Sequence, residues 1–149
     1  MSTTPTLDGR ILGLAHHATR AVLEQQLAST GTTFRQSVAL TAMARAGGAL
    51  LRSHLVAQLT DGLKLDASAA LATVGELVDA GLVQAAPGAD PRLEFTAAGT
   101  AHQDRLAEIA TGIGRRVYAD IPTDDLATAA RVLTLVTQRA NAELASAEG

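Results

Sequence analysis

The sequence predicts a mainly α-helical fold with one small β-hairpin, and three observations carry that expectation. Hydrophobic residues fill 47% of the 149 positions but aromatics only 2%, so the apolar content is mostly Ala, Leu and Val. Ala and Leu lose little side-chain freedom in a helix. Apolar residues recur at spacings of three and four through most of the chain, the period of one helix face. Only at "LVQAAPGADPRLEFT" does this give way to two short extended runs around a centre dense in turn residues.

The first periodic segment runs from about Leu7 to Ala28, with Leu7, Ile11, Leu14, Ala18 and Val22 on one face, and "STGT" ends it. Thr33 opens a second helix, with Gln36 three residues on in a capping-box arrangement and Val38, Leu40 and Met43 following. "AGG" closes that helix, and "ALLR" is a short apolar stretch of strand type. Ser53 is the expected cap of a third helix, "HLVAQLTDG", with Leu55 and Leu59 on one face and Gly62 at its end. A tight link, "LKL", leads to a fourth helix capped by Asp66, lined by Ala70, Val74 and Leu77, and ended by Gly81.

Two helices joined so tightly form a helix-turn-helix unit. The hairpin that follows at once, from Leu82 through "PGADP" to "RLEF", completes the outline of a winged helix. From Thr96 the helical period returns, with Leu106, Ile109, Ile113 and Val117 in a stripe. "DIPTDD" breaks it, Thr123 caps the next helix, and Leu126, Ala130, Leu133, Val136, Ala140 and Leu144 share its face. The resulting division is one chain, 1–149, with a winged lobe over 33–96 and flanking helices over 7–30 and 97–146. Those flanking helices exceed what a small winged core needs for cover, so their unpaired stripes imply a second subunit, most simply in a symmetric dimer.

Bulk properties narrow the function. The chain contains no cysteine, which excludes disulfides and thiolate-bound metal. "MSTTPTLDGR" lacks a basic start and an apolar core, and no apolar run reaches membrane-spanning length, so no membrane role and a cytoplasmic location are expected. The net charge of −3 counts weakly against nucleic acid, because an acidic remainder can conceal a small basic surface. No nucleophile motif, phosphate-cradling loop or paired acid is present, and the glycines at 112 and 114 follow no strand. The chain is therefore not expected to be an enzyme or to carry a cofactor. His16, His17, His54 and His102 form no short-spaced ligand pair, so no metal site is expected.

Three segments in order, "ELVDAGLV" (Glu76–Val83), "DPR" (Asp90–Arg92) and "FTAAG" (Phe95–Gly99), resemble MarR-family transcriptional regulators. They correspond to the end of the recognition helix, the tip of the wing and the start of the long helix after it. "LATAARVLTLVTQRANAEL" (Leu126–Leu144) is similar to family C-termini. The resemblance implies an obligate homodimer with interlocked terminal helices and two winged lobes on one DNA duplex. It also implies release of DNA, as in a repressor, when a small phenolic or lipophilic ligand binds where lobe and terminal helices meet.

The chain departs from the family in its fourth helix. Ala67, Ser68, Leu71, Ala72, Gly75 and Asp79 lie opposite the apolar stripe, without Arg or Lys. Of the usual major-groove contacts, only apolar contact with the thymine methyl is well supplied, by Ala67, Leu71 and Ala72, with Ser68 and Thr73 as hydrogen-bonding candidates. Phosphate contacts would fall to Arg35, Arg52, His54 and Lys64, with the wing's Arg92 resembling the residue that enters the minor groove. Only three residues separate Arg92 from Thr96, fewer than in the family, so the returning strand is short. His16 and Arg20, four apart on the first helix, with Phe34 and Met43, are the candidates to receive a ligand. A rival reading keeps the dimeric scaffold without operator binding, as a ligand-binding or protein-interaction module, and the apolar outer face of the fourth helix suits it.

Overall fold

The structure, a computed structural model, describes residues 4–148. The chain divides into two compact units, Met1–Ile113 and Gly114–Gly149. The first holds α1 (Gly9–Leu27), a 3-10 turn (Ala28–Thr30), α2 (Phe34–Arg45), β1 (Ala49–Leu51), α3 (Arg52–Leu63), α4 (Ala67–Asp79), β2 (Val83–Ala85), β3 (Arg92–Phe95) and most of α5 (Ala97–Val117). The second holds the last turn of α5 and all of α6 (Thr123–Glu148). A mainly α fold with a small wing is what the periodicities require. No helix among the described residues is long and apolar enough to cross a membrane.

Local chemistry explains most boundaries. Asp8 caps α1 by accepting from the Ile11 amide at 2.9 Å, so the helix starts at Gly9 and not at Leu7. Thr33 and Gln36 close a reciprocal capping box on α2. Asp66 accepts from the Ala69 amide at 2.7 Å to start α4. Gly81, at φ 75°, ends that helix: its amide donates to Val78, and the Leu82 amide reaches back to Leu77.

Several expectations are corrected. α3 begins at Arg52, with Leu51 at the cap position and no side-chain cap, so Ser53 lies inside the first turn, where its amide and hydroxyl donate to Asp90. Gly62 lies inside α3, and it is Lys64, in the left-handed region at φ 56°, that turns the chain towards α4. Thr123 is the first residue of α6 and not the cap before it. The hairpin has a third strand: β1 pairs antiparallel with β3, giving the order β1-β3-β2, with Leu50 opposite Leu93 and Leu93 opposite Ala85.

The core of the first unit is aliphatic, with Leu40, Leu55, Leu59, Leu77 and Leu93 fully buried. Met43 belongs to it at 0% exposure, so it does not line a ligand site; its place on the inward face of α2, beside Leu40, decides this. The wing is tied to α3 by Asp90, whose carboxylate accepts from the Ser53 amide (2.9 Å) and hydroxyl (2.6 Å). Beside it the Arg52 amide donates to Pro91 (2.9 Å) and its guanidinium to Ala89 (3.2 Å). The Ser53 hydrogen bonds hold the Asp90 carboxyl below its ordinary pKa, with a smaller contribution from Arg52.

The start of α5 is joined to the lobe through Thr96. Its amide donates to Leu82 and its hydroxyl donates to the Gly81 carbonyl at 2.6 Å while accepting from the Gly99 amide at 3.0 Å. Gly99 is buried there, and a Cβ on it would stand 1.8 Å from the Leu82 carbonyl oxygen. In contrast, α6 buries none of its residues, and it exposes Leu135, Val136 and Leu144. The first half of α1 similarly exposes Ile11, Leu12 and Leu14.

Gly99→Ala must push two backbone segments apart, and we expect it to destabilise the fold by about 1–3 kcal/mol, the usual range for overpacking. Chemical denaturation of both proteins checks this, with Ala98→Gly, at an exposed neighbouring position, as the control for helix propensity.

Candidate nucleic-acid interface and the adjoining cleft

The surface of the helix-turn-helix follows from which face of α4 is buried. Ala70, Thr73, Val74 and Leu77 point into the core. Ala67, Ser68, Leu71 and Ala72 are exposed on the other side, with Leu71 at 45%. Thr73 is corrected as a base-contacting candidate: it is buried, and its hydroxyl donates to the Ala69 carbonyl of its own helix at 3.0 Å. The Glu76 carboxylate accepts from the Gln36 side chain at 3.0 Å, bracing α4 against α2.

The cationic candidates of the lobe are in different states. Arg35 is exposed at the start of α2, and it shares a cleft with Ala69 and Ala72 of α4. Lys64, in the turn, has its ammonium 3.7 Å from Asp61. His54 is exposed in the first turn of α3. Arg52 gives one guanidinium hydrogen bond to the wing loop. Arg92 stands at the first position of β3, opposite Leu51 of β1, with its side chain 59% exposed and 3.6 Å from Glu94. The hairpin closes at this residue, since the Ala86 amide donates to the Arg92 carbonyl. Arg92 therefore lies at the base of the wing loop, and the loop's tip is Pro87–Asp90.

Behind α4 lies a cleft of about 530 Å³ between the end of α1, the start of α2 and the flank of α4. The Arg20 guanidinium lies over the Phe34 ring, 4.2 Å from its centroid, and pairs with Glu24 at 2.7 Å. Arg35 and Glu76 complete the charged lining, so two cations meet two carboxylates. Of the ligand candidates, Arg20 and Phe34 are brought together here. His16 is exposed, its ring 5.4 Å from that of His17, and it does not line this cleft.

Two residues with structural weight escaped the sequence reading. Thr32, which lines the cleft, lies 2.6 Å from His102 Nε2 and 2.9 Å from the Thr30 hydroxyl. Burial, and secondarily the charge of Arg105, lowers the His102 pKa, so the ring favours its neutral form. The pair is 70 residues apart in sequence, and no local signal announces it. Asp90 carried a signal, as part of "DPR", but its partner Ser53 was legible only as a cap. Among the described residues, no group of three or more acidic or histidine side chains could hold a metal ion.

The sequence matches no protein-family model and no curated protein. The backbone does match solved structures. A cysteine-substituted MarR from E. coli complexed with operator DNA superposes with a TM-score of 0.71 at 19% identity, over 86% of this chain and 91% of that one. CouR from Rhodococcus jostii RHA1, bound to p-coumaroyl-CoA, gives 0.74 at 18% identity, over 87% and 90%. BpsR from Bordetella bronchiseptica, whose DNA binding is regulated by 6-hydroxynicotinic acid, gives 0.70 at 16%, over 93% and 98%. The chain has the winged-helix fold of the MarR-family transcriptional regulators.

Proposed function

We propose that this chain is a transcriptional regulator of the MarR type, which binds duplex DNA as a homodimer and responds to a small phenolic or lipophilic ligand. The role implies a cytoplasmic location. One observation carries the DNA reading: the exposed first half of α4 stands on a lobe whose wing is tied to the start of α3 through Asp90 and Arg52. That arrangement suits a helix in the major groove and a hairpin alongside it, and a MarR of the same fold is solved with operator DNA. Arg35, Arg52, His54, Lys64 and Arg92 then meet phosphates, while Ala67, Ser68, Leu71 and Ala72 face base edges.

The exposed apolar residues of α6 and of the first half of α1 support the homodimer. A 26-residue helix with no buried position loses its reason to be amphipathic unless a second copy covers it. The cleft behind α4 supports ligand binding. Its guanidinium groups are matched by carboxylates, so an aromatic with a hydroxyl fits better than a multiply charged anion.

A mobility-shift series on the DNA flanking the gene tests the first claim. Binding should weaken steeply with salt, and Arg92→Ala should weaken it further and reduce the salt slope by about two, one phosphate contact from each protomer. No retained duplex even at low salt would favour the protein-interaction alternative, and an unchanged slope would remove Arg92 from the interface. In sedimentation equilibrium, the protein should have twice its 15.3 kDa chain mass, and a Leu135→Glu/Leu144→Glu variant should sediment as one chain. A single-chain mass for the unaltered protein would refute the dimer. Titrated with 4-hydroxybenzaldehyde, the protein should show binding that Arg20→Ala weakens about tenfold, the value of one hydrogen bond to a charged group. Equal affinity in the variant would move the ligand out of this cleft.

A further inference from the structure

We infer that α4 recognises thymine methyl groups through Leu71, flanked by Ala67 and Ala72, and reads no base by an arginine or amide hydrogen bond; this rests on the DNA-binding reading above. The hydrogen-bonding side chains of the helix are accounted for one by one. The Asp66 carboxylate is engaged as the cap, the Thr73 hydroxyl is buried on the Ala69 carbonyl, and Glu76 is held by Gln36. Asp79 is exposed, but it is the last residue of the helix, twelve positions beyond Ala67, and a recognition helix contacts bases with its first turns. Among the described residues of α4, Ser68 alone then offers a polar group outward from those turns.

Guanine recognition in the major groove takes a donor pair, usually from Arg, and adenine takes Asn or Gln; α4 has none of these. Apart from Ser68, what the first two turns present is apolar, and it is small except at Leu71, which is 45% exposed. The occupant of this face follows from its rim. Arg35 borders Ala69 and Ala72 in the cleft it shares with Glu76, and His54 and Lys64, the latter 3.7 Å from Asp61, lie on the preceding helix and turn. A partner that is anionic at its edges and carries methyl groups at its centre is a DNA duplex with thymine in the contacted step. Apolar contact places Leu71 on the C5 methyl, and Ala67 and Ala72 are small enough to let the helix approach.

The test uses the full-length protein and duplexes that it retains from a randomised pool. The retained sequences should be enriched in thymine at the positions α4 meets. One retained duplex is then resynthesised with uracil for thymine, which removes the methyl and leaves every base-pairing edge and phosphate unchanged. Affinity should fall about fourfold for each contacted methyl, the value of burying one such carbon. Leu71→Ala, at an exposed position that leaves the core intact, should bind both duplexes alike. Equal affinity of the unaltered protein for the thymine and uracil duplexes overturns methyl recognition while leaving DNA binding standing. Retention of no duplex at all overturns both. A thymine preference that survives Leu71→Ala overturns the role given to that residue.

Discussion

The absence of a side chain at Gly99 is the constraint on which the lobe depends. Because nothing projects from that position, the first turn of α5 can lie against the Leu82 carbonyl, and Thr96 can link Gly81, Leu82 and Gly99 through its amide and hydroxyl. The junction therefore joins the end of α4, the start of β2 and the start of α5 in one hydrogen-bonded knot. Desolvated carbonyls at a helix exit are costly unless paired, and here the next helix supplies the donors. The motif "FTAAG" has a mechanical reason: Thr to bridge, Gly to allow contact.

Much of the lobe was legible because its boundaries are set locally. Thr33 and Asp66 cap the helices that follow them, and Gly81 ends α4 as its position suggests. The errors fall where a distant partner overrides a local preference. Ser53 looks like a cap, yet its amide and hydroxyl are used by Asp90 across the lobe. Gly62 looks like a helix stop, yet it lies inside α3 and Lys64 takes the left-handed position, which is uncommon for a non-glycine residue and so is not announced by its type. Met43 shares its type with ligand-lining residues, but its register along α2 puts it among the core leucines.

The candidate site was legible in part for the same reason. The outward face of α4 follows from the helical period once the buried stripe is known, so Ala67, Ser68, Leu71 and Ala72 were within reach of the sequence. The cleft was not, because it needs α1, α2 and α4 brought together, and Glu24, Thr32 and Glu76 acquire meaning only there. Electrostatics follow the same division. The chain is acidic in total, yet the first two turns of α4 carry no acidic residue beyond the Asp66 cap, and Arg35 borders them. A local balance of charge of this kind is invisible in a net value.

The hydrogen bonds from Asp90 and Arg52 have a further mechanical consequence. With its loop fastened to the start of α3, the wing is held at a second place besides its strand ladders, so a displacement of the hairpin alone has to break the Asp90 and Arg52 hydrogen bonds. On the function proposed above, a ligand would act by turning the lobe as a whole, and the α1–α2–α4 cleft, one wall of which is α4, is where a wedge would have leverage.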